Sequence, residues 1–432
     1  MKKRLAAILI ATFTLCSILS GCGKTTDSSA PTGADDSAKA GGAQTLKIWS
    51  IATEGDSSHH AYEAAIADYM SAHPDVTVEM ETFENESYKT KIKTVAASDE
   101  LPDIYFTWGG GFSQPFVEAG KALNLDSYYT DYQDELPQGT MSYATYDGSV
   151  YGVPYVVSIS GIFYNKKMFE QYGLSEPKTW DDLMNVTKTF LDNGITPFGV
   201  SVKEAWVMAM FNDALTLKCV GPEMLDKAFT GSGTGYEDAG FTDAAEKLSE
   251  LFKMGAFDKN AAALSNDEAV SEFLAGTVPM YVTGAWLDGS IQSGAENPDD
   301  FSFMPFPACS DQAVLEDSMG GAQDMLMVNP KTKDADLAAN AAFEIAKSLS
   351  KYGYQDGAGL AAWKVDYEVE GQSPISERMA ECVNEANSLT VWSGTLMSAE
   401  DYTDYQSALQ EFFVGNIDSK TFVETMNKML TE

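Results

Sequence analysis

Cations are scarce in these 432 residues: Lys and Arg number 28 against 64 Asp and Glu, a formal charge of −36. Such a surface repels phosphate backbones instead of releasing their counterions, so nucleic acid is a poor partner. Cysteine is as sparse. The 5 residues, at 16, 22, 219, 309 and 382, contain no C-x-x-C pair, which argues against a disulfide scaffold and a structural zinc site. Only His59, His60 and His73 supply imidazole, and His59 and His60, side by side at a helix start, suit solvent better than a metal. There is no G-x-S-x-G elbow, no G-x-x-x-x-G-K-[ST] phosphate loop and no H-E-x-x-H. No catalytic residue, metal site or cofactor is therefore expected. Core material is abundant: 44% hydrophobic and 11% aromatic residues suffice for two or three domains.

The N-terminus runs from Met1-Lys2-Lys3-Arg4 through an apolar stretch, Leu5 to Leu19, to Ser20-Gly21-Cys22. That is the charged, apolar and small-residue order of a secretory signal, residues 1–21. The apolar stretch, about 15 residues, is shorter than the ~20 that a membrane span needs. Leu19-Ser20-Gly21-Cys22 resembles the lipobox of bacterial lipoproteins, which implies that Cys22 carries the lipid of a membrane anchor. Residues 22–44, rich in Gly, Ser, Thr, Ala and Asp, read as a flexible linker. Loss of Lys2, Lys3 and Arg4 leaves 25 cations against 64 acids, a formal −39. Of the three cysteines then left over, none is expected in a disulfide.

From residue 45 onwards helical and strand patterns alternate without a repeat. Leu46 to Trp49 reads as a strand, Tyr62, Ile66, Tyr69 and Met70 as a helix face, and Val76, Val78 and Met80 as a second strand. Tyr88, Ile92 and Val95 then repeat the helical spacing before the strand Ile104-Tyr105-Phe106. The succession is βαβαβ. Helix starts are expected after Thr179, Thr242, Ser398 and Ser419. The class is α/β, with mainly parallel sheets covered on both faces.

Seven tryptophans are the strongest functional signal. Trp180 follows a helix cap and suits packing, whereas Trp49, Trp108, Trp206, Trp286, Trp363 and Trp392 mostly sit at predicted strand ends or beside Gly and Ser. As a set they suggest a cleft lined by aromatic faces at the carboxyl ends of strands. Trp286 in particular follows Gly284-Ala285 after a strand predicted over 278–282, with the small residues leaving room for a ligand beside the ring.

Several segments carry a family pattern: Tyr151-Gly152-Val153-Pro154-Tyr155, Gly161-Ile162-Phe163-Tyr164-Asn165-Lys166-Lys167-Met168-Phe169, and Pro177-Lys178-Thr179-Trp180-Asp181-Asp182-Leu183. Leu101-Pro102-Asp103-Ile104 and Phe273-Leu274-Ala275-Gly276 through Pro279-Met280 to Gly284-Ala285-Trp286 agree with them. The chain resembles bacterial extracellular solute-binding proteins of the maltose-binding type, with departures at Pro279 and Asp182. The resemblance implies a two-lobed type II periplasmic-binding-protein-like fold with three hinge crossings and a ligand cleft between the lobes. Lobe 1 would be 45–163 and 322–365, and lobe 2 would be 164–321 and 366–432. The crossings would fall near 163–167, 319–321 and 363–371. Ligand-binding residues implied by matching position are Trp49, Trp108, Trp206, Trp286 and Trp392. Tyr155 and Asp324 join them from their place beside the crossings, while Asn165 and Lys166 read as structural.

The function so implied is capture of a carbohydrate, an oligosaccharide by preference, and its delivery to an ABC transporter permease driven by a separate ATPase. The protein would act as a monomer, lipid-anchored outside the cytoplasm, at a Gram-positive cell surface in preference to a periplasm. A binder of polyamines or another small solute on the same fold, a secreted glycoside hydrolase and a surface adhesin are the alternatives. The identity of the sugar is not legible.

Overall fold

The computed structural model describes residues 44–232, 235–369 and 371–431, all within one unit, Gly42–Glu432. The signal, Cys22 and nearly all of the linker lie outside the described residues. None of the described helices is long and apolar enough to cross a membrane.

Strand Gln44–Ser50 alternates as its sequence dictates, with Leu46 and Ile48 buried and Lys47 exposed. It pairs in parallel with Val76–Thr82 on one side and Ile104–Trp108 on the other. Helices His59–Ala72 and Asn85–Ala97 make the two crossovers, the second capped by Glu84. Asp324–Val328 and Gly152–Pro154 complete a five-stranded sheet. The alanine-rich helix Ala335–Gln355 packs beside His59–Ala72, its Ala338, Ala339, Ala342 and Ala346 buried. These elements enclose one hydrophobic core.

A second core surrounds the strand Val156–Asn165. Met280–Gly284, Phe301–Met304, Asp317–Gly321 and Leu360–Ala361 all pair with that strand in antiparallel fashion. Helix Ala205–Val220 lies on this sheet, and Ala239–Met254 and Ala399–Phe413 pack on that helix, so that 15 of its residues are buried.

Mainly parallel sheets are thus the wrong description: both sheets are mixed. A chain that leaves a lobe and returns re-enters its sheet from the opposite end. Asp324–Val328 therefore runs antiparallel to both of its neighbours.

The first crossing also differs from expectation. Phe163 and Tyr164 belong to the second core, near the end of a ten-residue strand, and the change of lobe falls at the start of that strand, at Tyr155 to Val157. Tyr155 lies in the first core, whereas Val157 packs against both. The second crossing, Ala322-Gln323, separates strands of the two sheets, and the third separates Trp363, in the first core, from Ile375, in the second. Just before the second crossing Gly321 adopts φ +144°, a conformation that strains any side chain. Two helix caps move as well: Asp238, not Thr242, caps Ala239–Met254, and Asp418 accepts from the Thr421 N–H at the last helix.

Candidate functional site

Three strand ends and a hinge converge where the lobes face each other. Asp324 opens its strand directly opposite Trp108, the last residue of Ile104–Trp108. Its backbone carbonyl accepts from the Tyr155 N–H at 3.3 Å, and the Tyr155 hydroxyl in turn accepts from Tyr62 at 3.3 Å. Oδ1 of Asp324 is hidden from solvent without any hydrogen-bond partner. Burial, and then the nearby Asp56, push the Asp324 carboxyl up to about 7. Asp56 itself follows the first strand and is raised by burial, with Asp267 of the second lobe adding to the repulsion. An acid in this state needs donors that a ligand can bring.

The second lobe contributes a line of indoles. Trp206 lies 6.3 Å from Trp286, and Trp286 lies 6.3 Å from Trp392, each pair inclined at 55°. Glu204 anchors one end: its Oε2 accepts from Trp206 Nε1 at 3.4 Å and its Oε1 from the Asn266 N–H at 2.8 Å. Asp213 holds the other end through the residue after Trp392. Its Oδ2 accepts from the Ser393 N–H and hydroxyl, its Oδ1 from the Tyr405 hydroxyl, and burial pushes the carboxyl up to about 6. Trp392 Nε1 is buried and unpaired.

Lys89 spans the gap between the lobes. Its ammonium lies 5.4 Å from the Trp108 ring centroid and 6.0 Å from that of Trp206, and it pairs with Glu86 at 2.6 Å. Asn85, one turn earlier, has a buried Oδ1 without a partner. Gly110 and Gly111 abut the backbone of Thr395 and Met397 so closely that a Cβ on either would fall within 2.1 Å of a carbonyl oxygen.

Of the residues expected to bind ligand, the structure thus brings Trp108, Tyr155 and Asp324 together on one lobe and Trp206, Trp286 and Trp392 on the other. Trp363 does not join them. Only 4% exposed, it packs on Tyr132 and Phe343 and donates its indole N–H to Pro154 O at 2.9 Å, as a core residue does. Trp49 packs against Phe83 and under Lys91 within the first lobe. The space above Gly284 is filled by the ring of Trp286 itself, so the small residue makes room for the indole and not for a ligand. Asn165 caps the helix that follows it.

Asp56, Tyr62, Lys89, Glu204 and Asp213 are absent from the expected set. A turn such as Glu54-Gly55-Asp56 directly after the first strand is a signal that the strand-end rule could have used; a lysine or tyrosine on a helix carries none. Among the described residues no cluster of His, Cys, Asp and Glu could hold a metal ion.

The sequence profile of bacterial extracellular solute-binding proteins matches residues 55–358. An uncharacterised ABC transporter extracellular-binding protein of Pyrococcus horikoshii is 26% identical over 84% of this chain and 83% of its own length. The multiple sugar-binding protein of Streptococcus mutans is 22% identical over 78% of this chain and 79% of its own. A structure solved in work on xylan utilisation by Caldanaerobius polysaccharolyticus superposes with a TM-score of 0.85 and 32% identity, covering 89% of this chain and 99% of that one. A chitin oligosaccharide binding protein shares the fold, with a TM-score of 0.82 and 22% identity over 89% of this chain and 98% of that one. With the profile spanning most of the chain, this protein belongs to the bacterial extracellular solute-binding protein family.

Proposed function

We propose that the chain is the substrate-binding component of an ABC importer, that it takes an oligosaccharide between its lobes, and that it hands this sugar to a membrane permease. The observation that carries the proposal is the pairing of an orphaned buried acceptor, Asp324 Oδ1, with indoles on both sides of the cleft. A sugar ring answers both demands. Its hydroxyls donate to the carboxylate and to Asn85 Oδ1, and its C–H faces lie on aromatic rings. Relatives named for multiple sugars and chitin oligosaccharides support the ligand class. The ligand contacts would be Trp108, Tyr155, Trp206, Trp286, Asp324 and the edge of Trp392. The chain would work as a monomer, tethered outside the cytoplasm through a lipid on Cys22.

One observation favours a second reading, a polyamine. Asp56, Asp267 and Asp324 place three acids around the cleft. Against it, Lys89 already sets an ammonium between Trp108 and Trp206, where a ligand cation would be repelled. A thermal-shift screen of neutral oligosaccharides, spermidine and putrescine separates the two. A ligand at 100 times its Kd adds ~2.7 kcal/mol to folding. Stabilisation by an oligosaccharide and none by polyamines is the expected result; the reverse overturns the sugar.

A further inference from the structure

Three cysteines lie among the described residues, and the fold gathers two of them. Cys219 is the penultimate residue of the Ala205–Val220 helix and is 1% exposed. Cys309 comes 90 positions later, in the segment after Phe301–Met304, and is partly exposed. The two segments are tied together beside the sulfurs: the Ser310 hydroxyl donates to the Cys219 carbonyl at 2.9 Å and to that of Lys218 at 3.1 Å. The Cys309 side chain is the strongest influence on the Cys219 thiol, and both thiols are free. Cys382 is buried on another helix.

We infer that Cys219 and Cys309 are a redox pair that closes to a disulfide outside the cytoplasm, where small disulfides act as oxidant. This goes beyond ligand capture and reverses the expectation of no disulfide. The more accessible Cys309 reacts first. Its thiolate attacks one sulfur of an external disulfide, R–S–S–R, forming Cys309–S–S–R and releasing one RS⁻, which takes up a proton. Cys219 then gives up its proton and attacks the Cys309 sulfur, expelling the second RS⁻. Two thiols are oxidised and one external disulfide is reduced to two thiols.

The order follows from the surroundings. Cys309 is partly exposed, whereas Cys219 is 1% exposed at the end of its helix. The Cys309 thiol, and after it burial, hold Cys219 protonated far above the usual thiol range. Cys219 is therefore the resolving partner and not the initiator. The bond would fix the end of the helix whose first turn carries Trp206.

Differential alkylation with peptide mapping tests this on the full chain after incubation with oxidised glutathione. The expected product is one linked species of the Cys219 and Cys309 peptides, lighter by two hydrogens, with Cys382 still alkylated. Dithiothreitol should release both peptides, and the oxidised protein should melt at a higher temperature than the reduced one. Cys219→Ser should trap glutathione on Cys309, whereas Cys309→Ser should leave Cys219 unmodified. Independent alkylation of Cys219 and Cys309 after the oxidant, or glutathione retained on Cys309 of the parent, overturns the inference.

Discussion

The Asp213 carboxylate accepts both the backbone N–H and the hydroxyl of Ser393, at 2.9 and 2.6 Å, across 180 positions of sequence. Ser393 follows Trp392, and Trp392 abuts Trp286, so one buried acid sets the line of indoles on the second lobe.

Asp213 makes a prediction about stability. Its folded-state value, about 6, lies above the usual 3.8, so the folded protein binds more protons between those limits and its stability falls as pH rises through them. Asp213→Asn removes this dependence. Relative to the parent it should gain on the order of 3 kcal/mol between pH 4 and pH 7, read by denaturant melts at each pH. Its affinity should nonetheless fall, because an amide accepts less strongly from Ser393. Parallel pH profiles for the two proteins would contradict this.

Asp324 predicts the pH dependence of binding. Raised to about 7, it is protonated in acid and is a full acceptor only above that value. Hydroxyl donors favour the carboxylate, so affinity should rise from pH 6 to pH 8 and then level off, with proton release on binding below pH 7. Calorimetry in buffers of different ionisation enthalpy measures the released proton. No release and a flat profile would remove Asp324 from the site.

Trp286 and Trp392 should part company. Trp286 is partly exposed within the line of indoles, so Trp286→Ala should weaken binding by ~2 kcal/mol, roughly thirtyfold in Kd, with a smaller loss of stability. Trp392 is 5% exposed and belongs to the core. Its truncation should cost ~3–5 kcal/mol of folding. Equal melting temperatures for the two variants would refute the assignment.

Gly111 tests closure. A Cβ there would lie 1.8 Å from the Met397 carbonyl oxygen of the other lobe. Gly111→Ala should keep both lobes folded yet hold them apart, with affinity down ~tenfold or more. Small-angle scattering should show the parent contracting with ligand and the variant not. Equal contraction of both would show that this contact does not limit closure.

The proposed lipid on Cys22 predicts that Cys22→Ser is released from membranes. Equal membrane retention of variant and parent in a fractionation assay would contradict the lipobox.

The first lobe was legible because its βαβαβ run is local: Leu46, Ile48, Tyr62, Ile66 and Tyr88 fall on period and are buried where the period puts them. The strand Val156–Asn165 was not, since nothing along the chain says which sheet a strand joins. The family motif at 161–169 looks like a crossing but is the end of the second sheet's central strand and the start of the helix after it. Trp206 and Trp363 show the same limit for the site. Both directly follow an alanine, and only the packing of Tyr132 and Phe343 around one of them separates core from cleft. Lys89 gave no signal at all, because its partners lie on two lobes.

The most direct measurement is a calorimetric titration of the parent and of Asp324→Asn with the oligosaccharide that stabilises the parent most. One sugar should bind per chain, and the variant, at least as stable as the parent at neutral pH because the buried charge is gone, should bind at least ~tenfold more weakly, the loss of one charged hydrogen bond. Equal affinities, or heat from spermidine and none from any sugar, would contradict a carbohydrate held between Asp324 and the indoles.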